Sequence, residues 1–169
     1  MEGRMSRGLR WGVLAAVFVV AGLLSGCVGG DSEDGTSEPS GTGGASVATG
    51  EAANLADADI SVTLGATREF GIELSSPTAA AGEVTFGVTN GGKLPHGFAI
   101  ARHDGDPGSL PQDGLNVDAT QVDILADSGS MDPGATATIT LDLEPGSYVI
   151  FSNTGGHYSA GMFIGFTVE

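Results

Sequence analysis

Apolar residues recur at every second position through most of the chain from residue 60 onwards. This period of two is typical of a β-strand with one buried face, whereas an amphipathic helix repeats its apolar residues every 3.6 positions. The pattern therefore predicts an all-β domain in which helix is a minor component. The predicted strands fall within 60–64, 70–74, 84–88, 98–100, 139–143, 148–151 and 162–168.

Turn-forming residues separate these apolar runs. Seven or so short strands with a turn about every ten residues are typical of a β-sandwich. The long interval His103–Met131 breaks the rhythm and is rich in Asp, Gly and Pro, so we expect a surface excursion there with one short strand or helical turn at 122–125. The turns lie at Ser75-Ser76-Pro77, Asn90-Gly91-Gly92, Asp132-Pro133-Gly134, Glu144-Pro145-Gly146 and Thr154-Gly155-Gly156.

The first 27 residues have the pattern of a targeting signal. Three arginines in the first ten positions precede a 14-residue apolar run at 11–24, which is too short to span a bilayer comfortably but suits a signal peptide. The run ends in Leu24-Ser25-Gly26-Cys27, which resembles the lipobox of prokaryotic lipoproteins. The resemblance implies a signal peptide at 1–26 and a lipidated Cys27 that anchors the protein to the extracytoplasmic side of the cell membrane. The alternative is a transmembrane helix in which Cys27 is merely a small apolar residue.

The composition changes again after the cysteine. Residues 28–54 are mostly Gly, Ser, Thr and acidic residues, which offer too little apolar surface to offset the entropy lost on ordering. We therefore expect a flexible acidic tether at 27–55 and a folded domain at 56–169, which is long enough to bury one core.

The charge balance limits the partners of the protein. Beyond residue 26, 20 acidic residues face three basic ones, for a net charge of −17, so the chain cannot neutralise phosphates and nucleic-acid binding is excluded. Such acidity indicates either adaptation to high salt or electrostatic steering of a cationic partner. The single cysteine excludes an intramolecular disulfide. The basic residues are Arg68, Lys93 and Arg102.

Signatures of catalysis are missing from the sequence. It has no phosphate-binding glycine loop that ends in lysine, no Gly-x-Ser-x-Gly elbow and no HExxH zinc motif, and no pair of base and nucleophile can be nominated. The spacing of Asp104, Asp106 and Asp113 matches no defined calcium loop, so we interpret them as solvated surface. We therefore expect that the protein is not an enzyme.

Two segments place metal-ligand residue types in loops between predicted strands. They are NGGKLPHGFAI at 90–100 and EPGSYVIFSNTGGHYSAGM at 144–162. Together they resemble the cupredoxins, the plastocyanin and azurin family of blue-copper β-sandwiches. The resemblance implies a cupredoxin-like Greek-key sandwich in which an upstream His, and then a Cys, a His and a Met of the last loop, hold one copper ion.

The ligand positions of that family fall on His96, His157 and Met162, and the cysteine position falls on Ser152. This register agrees with strand geometry, because Ser152 lies four residues after Tyr148 and therefore on the same face of a strand. Asn153 would point to the opposite face. The departure from the family pattern removes the thiolate, which is the strongest ligand, and Ser152 offers only a neutral hydroxyl or a water in its place.

Three functions are compatible with this sequence. Two imidazoles and a thioether suit Cu(I), which favours a membrane-tethered protein that holds copper or exchanges it with a copper-donating or copper-accepting protein. In the second alternative, a copper-free cupredoxin-fold module contacts a partner through its acidic loops. The third, a blue-copper electron-transfer protein, is disfavoured by Ser152. His103 is a poor ligand candidate, because seven residues of strand place it about 23 Å from His96.

Overall fold

The computed structural model of the chain describes residues 46–49 and 54–169, and all of them belong to one compact unit. The predicted signal peptide, the lipidation site Cys27 and most of the predicted tether lie outside the described residues. Within the described ranges, no helix is both long enough and apolar enough to cross a membrane.

The described part of the chain forms twelve strands and one short 3-10 helix at Leu55–Asp57. Every one of the seven predicted apolar runs contains or overlaps a strand. The strands are β1 (Ser46–Thr49), β2 (Ile60–Leu64), β3 (Ile72–Leu74), β4 (Thr78–Ala79), β5 (Gly82–Asn90), β6 (Ala99–Arg102), β7 (Gln112–Asp113), β8 (Asn116–Val117), β9 (Ile124–Asp127), β10 (Thr136–Leu143), β11 (Gly146–Phe151) and β12 (Phe163–Val168).

Ten of these strands form two five-stranded sheets, and β7 and β8 form a separate hairpin. The first sheet has the order β1-β10-β5-β2-β3 and the second has the order β4-β12-β11-β6-β9. The chain crosses from the first sheet to the second between β5 and β6 and returns between β9 and β10, as in Greek-key sandwiches. The predicted all-β sandwich is confirmed.

The main core lies between the two sheets. Along β5 and β10 the apolar residues alternate with polar ones, and the register pairs Phe86 with Ile139 on the buried face. The Phe86 ring packs 5.4 Å, centroid to centroid, from the rings of both Phe98 and Phe166. Each such side chain contributes roughly 1.5–3 kcal/mol when it leaves water. The period of two in the sequence is thus the signature of this inter-sheet core.

A second core covers the outer face of β6 and β11, and it corrects the expectation that 103–131 is only a surface excursion. Leu110, Val117 and Val122 from this interval are buried against the outward-facing side chains of the second sheet. Tyr158 anchors the interval, because its hydroxyl donates to the carbonyl of Pro107 and accepts from the N–H of Leu110. The apolar residues of the excursion are isolated in sequence, so no periodicity marked them. The short element expected at 122–125 is β9, two residues later.

Strand β1 lies within the segment that the sequence predicts to be a tether. Residues Ser46–Thr49 pair antiparallel with Ala137–Thr140 of β10 and extend the first sheet by one edge strand. Pairing satisfies backbone groups of β10 that an exposed edge would leave to solvent. For the other residues of 27–55, the flexible tether stays a prediction.

Candidate metal centre

His96 lies in the loop between β5 and β6, and its side chain is fully buried. Its backbone exchanges two hydrogen bonds with Met131: the His96 N–H donates to the Met131 carbonyl at 3.1 Å, and the Met131 N–H donates back at 2.8 Å. This isolated bridge fixes the histidine three residues before β6 begins. The bridge therefore joins the loop of His96 to the segment between β9 and β10.

Asn90, the last residue of β5, holds the loop that carries His96. Its buried amide nitrogen donates to the carbonyls of Leu94 and Met131, at 2.9 and 2.8 Å. Its amide oxygen accepts from the N–H of Gly92 at 3.0 Å. A buried amide that uses both donors and its acceptor fixes the path of the backbone around it. From the sequence, Asn90 is predicted only to be part of a turn.

Ser152, His157 and Met162 lie on the loop that connects β11 to β12. Backbone hydrogen bonds close this loop: the Met162 N–H donates to the His157 carbonyl at 3.0 Å, and the Ser152 N–H donates to the Met162 carbonyl at 3.1 Å. The two ends of the loop are therefore adjacent, although ten residues separate them. The Met162 side chain is fully buried and belongs to the inter-sheet core.

The two histidine rings meet through their Nδ1 atoms, which lie 3.2 Å apart. The Ser152 hydroxyl oxygen also lies 3.2 Å from the His157 Nδ1, and it accepts a hydrogen bond from the Gly97 N–H at 3.1 Å. Phe70 packs edge-on to both rings, with centroid distances of 5.2 Å to His157 and 6.3 Å to His96. The polar atoms therefore converge at one buried point beneath an aromatic side chain.

The two faces of β11 settle the register of this loop. Tyr148 and Ile150 face the inter-sheet core, whereas Val149 and Phe151 face the outer core. Ser152 continues the inner face toward His157. Asn153 turns the other way, because its side-chain oxygen accepts from the N–H of Val117 in β8 at 2.8 Å. The predicted opposition of Ser152 and Asn153 is confirmed.

His103 is not part of this constellation. Its Nε2 lies 2.9 Å from the Ser109 hydroxyl, and its backbone N–H donates to Ser147 at the beginning of β11. Ser152 follows the opposite end of the same strand. The length of β11 therefore separates His103 from the paired histidines.

The separation of the two Nδ1 atoms fits a shared cation. Two nitrogens that bind one ion at about 2.0 Å lie about 3.3 Å apart when the angle at the ion is tetrahedral. The observed 3.2 Å also fits a hydrogen bond in which one ring donates to the other. Among the residues that the structure describes, no three His, Cys, Asp or Glu side chains group as metal ligands. A metal here would therefore depend on Ser152 and Met162 to complete its coordination.

Glu69 is a residue of this site that the sequence analysis missed. It lies in the turn between β2 and β3, and its Oε1 atom is 3.0 Å from the Nε2 of His96. The same oxygen accepts from the N–H groups of Leu94 and Lys93, both at 2.9 Å. These two backbone donors are the main reason that the pKa of Glu69 is lowered from 4.5, with the His96 contact as a weaker cause. No spacing links Glu69 to His96, so the sequence held no signal for this contact.

The pKa of His157 is also lowered from its ordinary 6.5. Burial is the largest cause, because it disfavours the charged imidazolium, and the neighbouring His96 adds to it. Glu69 acts weakly in the opposite direction. His157 thus stays neutral at pH values where an exposed histidine is protonated, and the neutral ring is the form that binds metals.

Known proteins resemble the chain at the level of structure. No family model and no curated protein matches it. The solved structures that are similar to it include auracyanin from the photosynthetic bacterium Roseiflexus castenholzii, with 24% identity, coverage of 64% of this chain and 94% of that chain, and a TM-score of 0.49. Rusticyanin from Thiobacillus ferrooxidans shares 22% identity over 65% of this chain and 75% of its own, with a TM-score of 0.45. Auracyanin A, a "blue" copper protein from Chloroflexus aurantiacus, shares 19% identity over 64% of this chain and 96% of its own, with a TM-score of 0.45. The solved structures to which this chain is similar thus include copper proteins.

Proposed function

We propose that the protein binds one copper ion through the Nδ1 atoms of His96 and His157 and the thioether of Met162. The observation that carries the proposal is the buried approach of two imidazole nitrogens to 3.2 Å. If both Nδ1 atoms carried lone pairs, they would repel at this distance, so a cation or a proton belongs between them. Imidazole and thioether ligands suit copper, and the thioether favours Cu(I).

Ser152 decides which copper chemistry the site favours. Its oxygen is neutral and already accepts a hydrogen bond from Gly97, so it is a much weaker donor than a thiolate in the same place. Bound copper would supply an exchangeable ion with a one-electron couple. Because the thiolate that tunes that couple in blue-copper sites is absent, we favour copper holding or transfer over electron transfer.

The proposed location follows from the N-terminal sequence. A lipidated Cys27 would anchor the protein to the extracytoplasmic face of the cell membrane, and the intervening segment would hold the copper site away from the bilayer. The acidic surface would attract a cationic partner that donates or accepts copper.

A copper-free interaction module is the second candidate. It is favoured by the hydrogen bonds that these polar groups can make to one another without a metal. One proton shared between the two rings, together with the Ser152 hydroxyl, gives each Nδ1 atom a partner. In that case the constellation would stabilise the end of the sandwich, and the acidic loops would bind the partner. Fold alone does not choose between the two functions.

Equilibrium dialysis of the purified protein against Cu(I) and Cu(II), in separate experiments, tests the proposal. We expect retention of one equivalent of copper, with tighter retention of Cu(I). The variant His96→Ala/His157→Ala should retain none at the same free copper concentration. Equal retention by the parent and the double variant would refute the proposed site and favour the copper-free module.

A further inference from the structure

We infer that Glu69 is a positioning residue that directs the lone pair of His96 toward the copper site and strengthens the binding of Cu(II) relative to Cu(I). The inference rests on the proposed function. The notable feature is a carboxylate bound to the far side of a buried histidine whose near side faces a second histidine.

The two ring nitrogens of His96 have different partners. Its Nε2 lies 3.0 Å from the Glu69 oxygen, and its Nδ1 lies 3.2 Å from the Nδ1 of His157. An ionised carboxylate only accepts hydrogen bonds, so the proton of the neutral ring belongs on Nε2. The lone pair then remains on Nδ1, directed at the site. Metal-binding histidines commonly have such a partner, which fixes the tautomer and raises the basicity of the ring.

The Glu69 carboxylate is itself held in place by the loop that carries His96. The same Oε1 atom accepts from the N–H groups of Lys93 and Leu94, three and two residues before the histidine. Three donors on one oxygen leave the carboxylate little freedom to turn away from the ring. The turn between β2 and β3 is thereby joined to the loop that carries His96.

Two glycines make room for this contact. A Cβ atom at Gly65 or at Gly92 would lie 2.7 Å from the His96 Nε2, and one at Gly92 would also lie 2.8 Å from the Glu69 oxygen. Side chains at these positions would clash with the ring or separate it from the carboxylate. Gly65 also has a φ of 74°, which other residues rarely adopt. The local backbone is therefore compatible with an uninterrupted contact between Glu69 and His96.

The charge of Glu69 acts differently on the two oxidation states of copper. An ion bound at Nδ1 would be separated from the carboxylate by the buried imidazole ring of His96, whereas the Glu69 side chain is 30% exposed, so water screens the interaction only in part. The attraction is larger for Cu(II) than for Cu(I), because it scales with the charge of the ion. The thioether of Met162 favours Cu(I), so Glu69 would offset that preference and allow the site to hold both states.

The experiment compares Glu69→Gln with Glu73→Gln in the full protein. Glu73 is a matched control because it lies on the same hairpin and accepts a backbone N–H, from Thr67, but does not contact a histidine. The first readout is the tautomer of His96 in the metal-free parent, from the ¹⁵N chemical shifts of its ring. The second is the affinity for Cu(II) and for Cu(I), from competition with chelators of known strength.

We expect the His96 proton on Nε2 in the metal-free parent. Glu69→Gln should weaken Cu(II) binding about tenfold or more and weaken Cu(I) binding distinctly less, whereas Glu73→Gln should change neither. A proton on Nδ1 of His96 in the parent would overturn the inference, and so would equal losses for both ions or no loss in Glu69→Gln.

The two proposals fail in different ways. A parent protein that binds neither Cu(I) nor Cu(II) refutes the proposed function and, with it, the copper selectivity assigned to Glu69. The tautomer of His96 is measured without copper, so a proton on Nδ1 would still overturn the role of Glu69, and a proton on Nε2 would support it. Because that measurement uses the unaltered protein, it also stands if Glu69→Gln fails to fold.

Discussion

The Nδ1 atoms of His96 and His157 lie 3.2 Å apart although 61 residues separate the two histidines along the chain. His96 is held by its backbone bridge to Met131, and His157 is held by the closed loop between β11 and β12. Neither loop alone brings two imidazoles together. Their contact is therefore a product of the packing of the sandwich.

Copper should stabilise the folded protein, because a ligand that binds only the native state shifts the unfolding equilibrium by mass action. At free Cu(I) a hundredfold above Kd, the gain is about 2.7 kcal/mol, enough to raise Tm by several degrees. Thermal unfolding followed by circular dichroism would measure it. His96→Ala and His157→Ala should lose most of the gain, and His103→Ala should keep it. An unchanged Tm in the parent at saturating Cu(I) would favour the copper-free module.

A thiolate introduced at position 152 should give the Cu(II)-bound protein a colour. Intense visible absorption of Cu(II) in such sites needs a copper–thiolate bond, so the native protein should be colourless and Ser152→Cys should turn blue or green on addition of Cu(II). The Ser152 oxygen already lies 3.2 Å from the His157 Nδ1, where a sulfur would complete the ligand set. The measurement is the visible absorption spectrum of the protein during titration.

Asn153→Cys is the matched control for that experiment. Its side chain leaves the strand on the other face, toward Val117, so it should stay colourless. Colour in Asn153→Cys alone would mean that the register is wrong by one residue. Absence of colour in both variants would mean that the two histidines and Met162 do not bind one copper ion together.

The stability of the metal-free protein should decrease in mild acid. The pKa of His157 is lowered in the folded state, chiefly by burial, whereas the unfolded chain takes up this proton near its ordinary pKa of 6.5. The unfolded state therefore binds more protons below about pH 6.5, and the free energy of unfolding falls as the pH decreases. Urea denaturation between about pH 7.5 and pH 5.5 measures the slope. His157→Gln should have a shallower slope, and an unchanged slope would show that His157 does not contribute.

Asn90 should be needed for stability rather than for ligation. Asn90→Ala removes both amide donors to Leu94 and Met131 and the acceptor for Gly92, so we expect a loss of about 2 kcal/mol. Denaturant unfolding of the metal-free protein measures this loss. The exposed residue Thr67 is the control, and its replacement by Ala should cost less than about 0.5 kcal/mol. Similar losses in both variants would contradict the role of Asn90.

Cys27 should determine membrane attachment. If the N-terminal motif is a lipobox, the mature protein begins at Cys27, carries added acyl mass and sediments with membranes. Mass spectrometry of the purified protein and fractionation of cells test this prediction. Cys27→Ala should remain unlipidated, and a variant that carried the same acyl mass as the parent would contradict the lipoprotein interpretation.

Some features of the site were predictable because they are local. The alternation of side chains along a strand depends only on the backbone of that strand, so the sequence sufficed to place Ser152 on the face of Tyr148 and Asn153 on the other. The same alternation located the seven strands of the inter-sheet core. The positions of His96, His157 and Met162 came from the resemblance of two segments to one family, and their role as ligands stays a prediction.

Other features depend on which elements meet in space. Leu110, Val117 and Val122 have no periodic spacing, and only the apolar outer face of β6 and β11 makes them core residues. Strand β1 was not predicted from the sequence for a related reason. A short segment without an apolar pattern forms a strand when the edge of a sheet is available for pairing.

The sequence by itself determined the strand pattern and the acidic composition, and it predicts a signal at the N-terminus, since none of these depends on contacts between distant residues. Only the tertiary structure decided that Glu69 contacts His96, and that Ser152 and the two histidines share one buried point. The physical reason is that a strand pattern specifies the face on which a side chain lies but not the partner that it meets. Contacts of about 3 Å between loops depend on how the two sheets pack, to which residues throughout the core contribute.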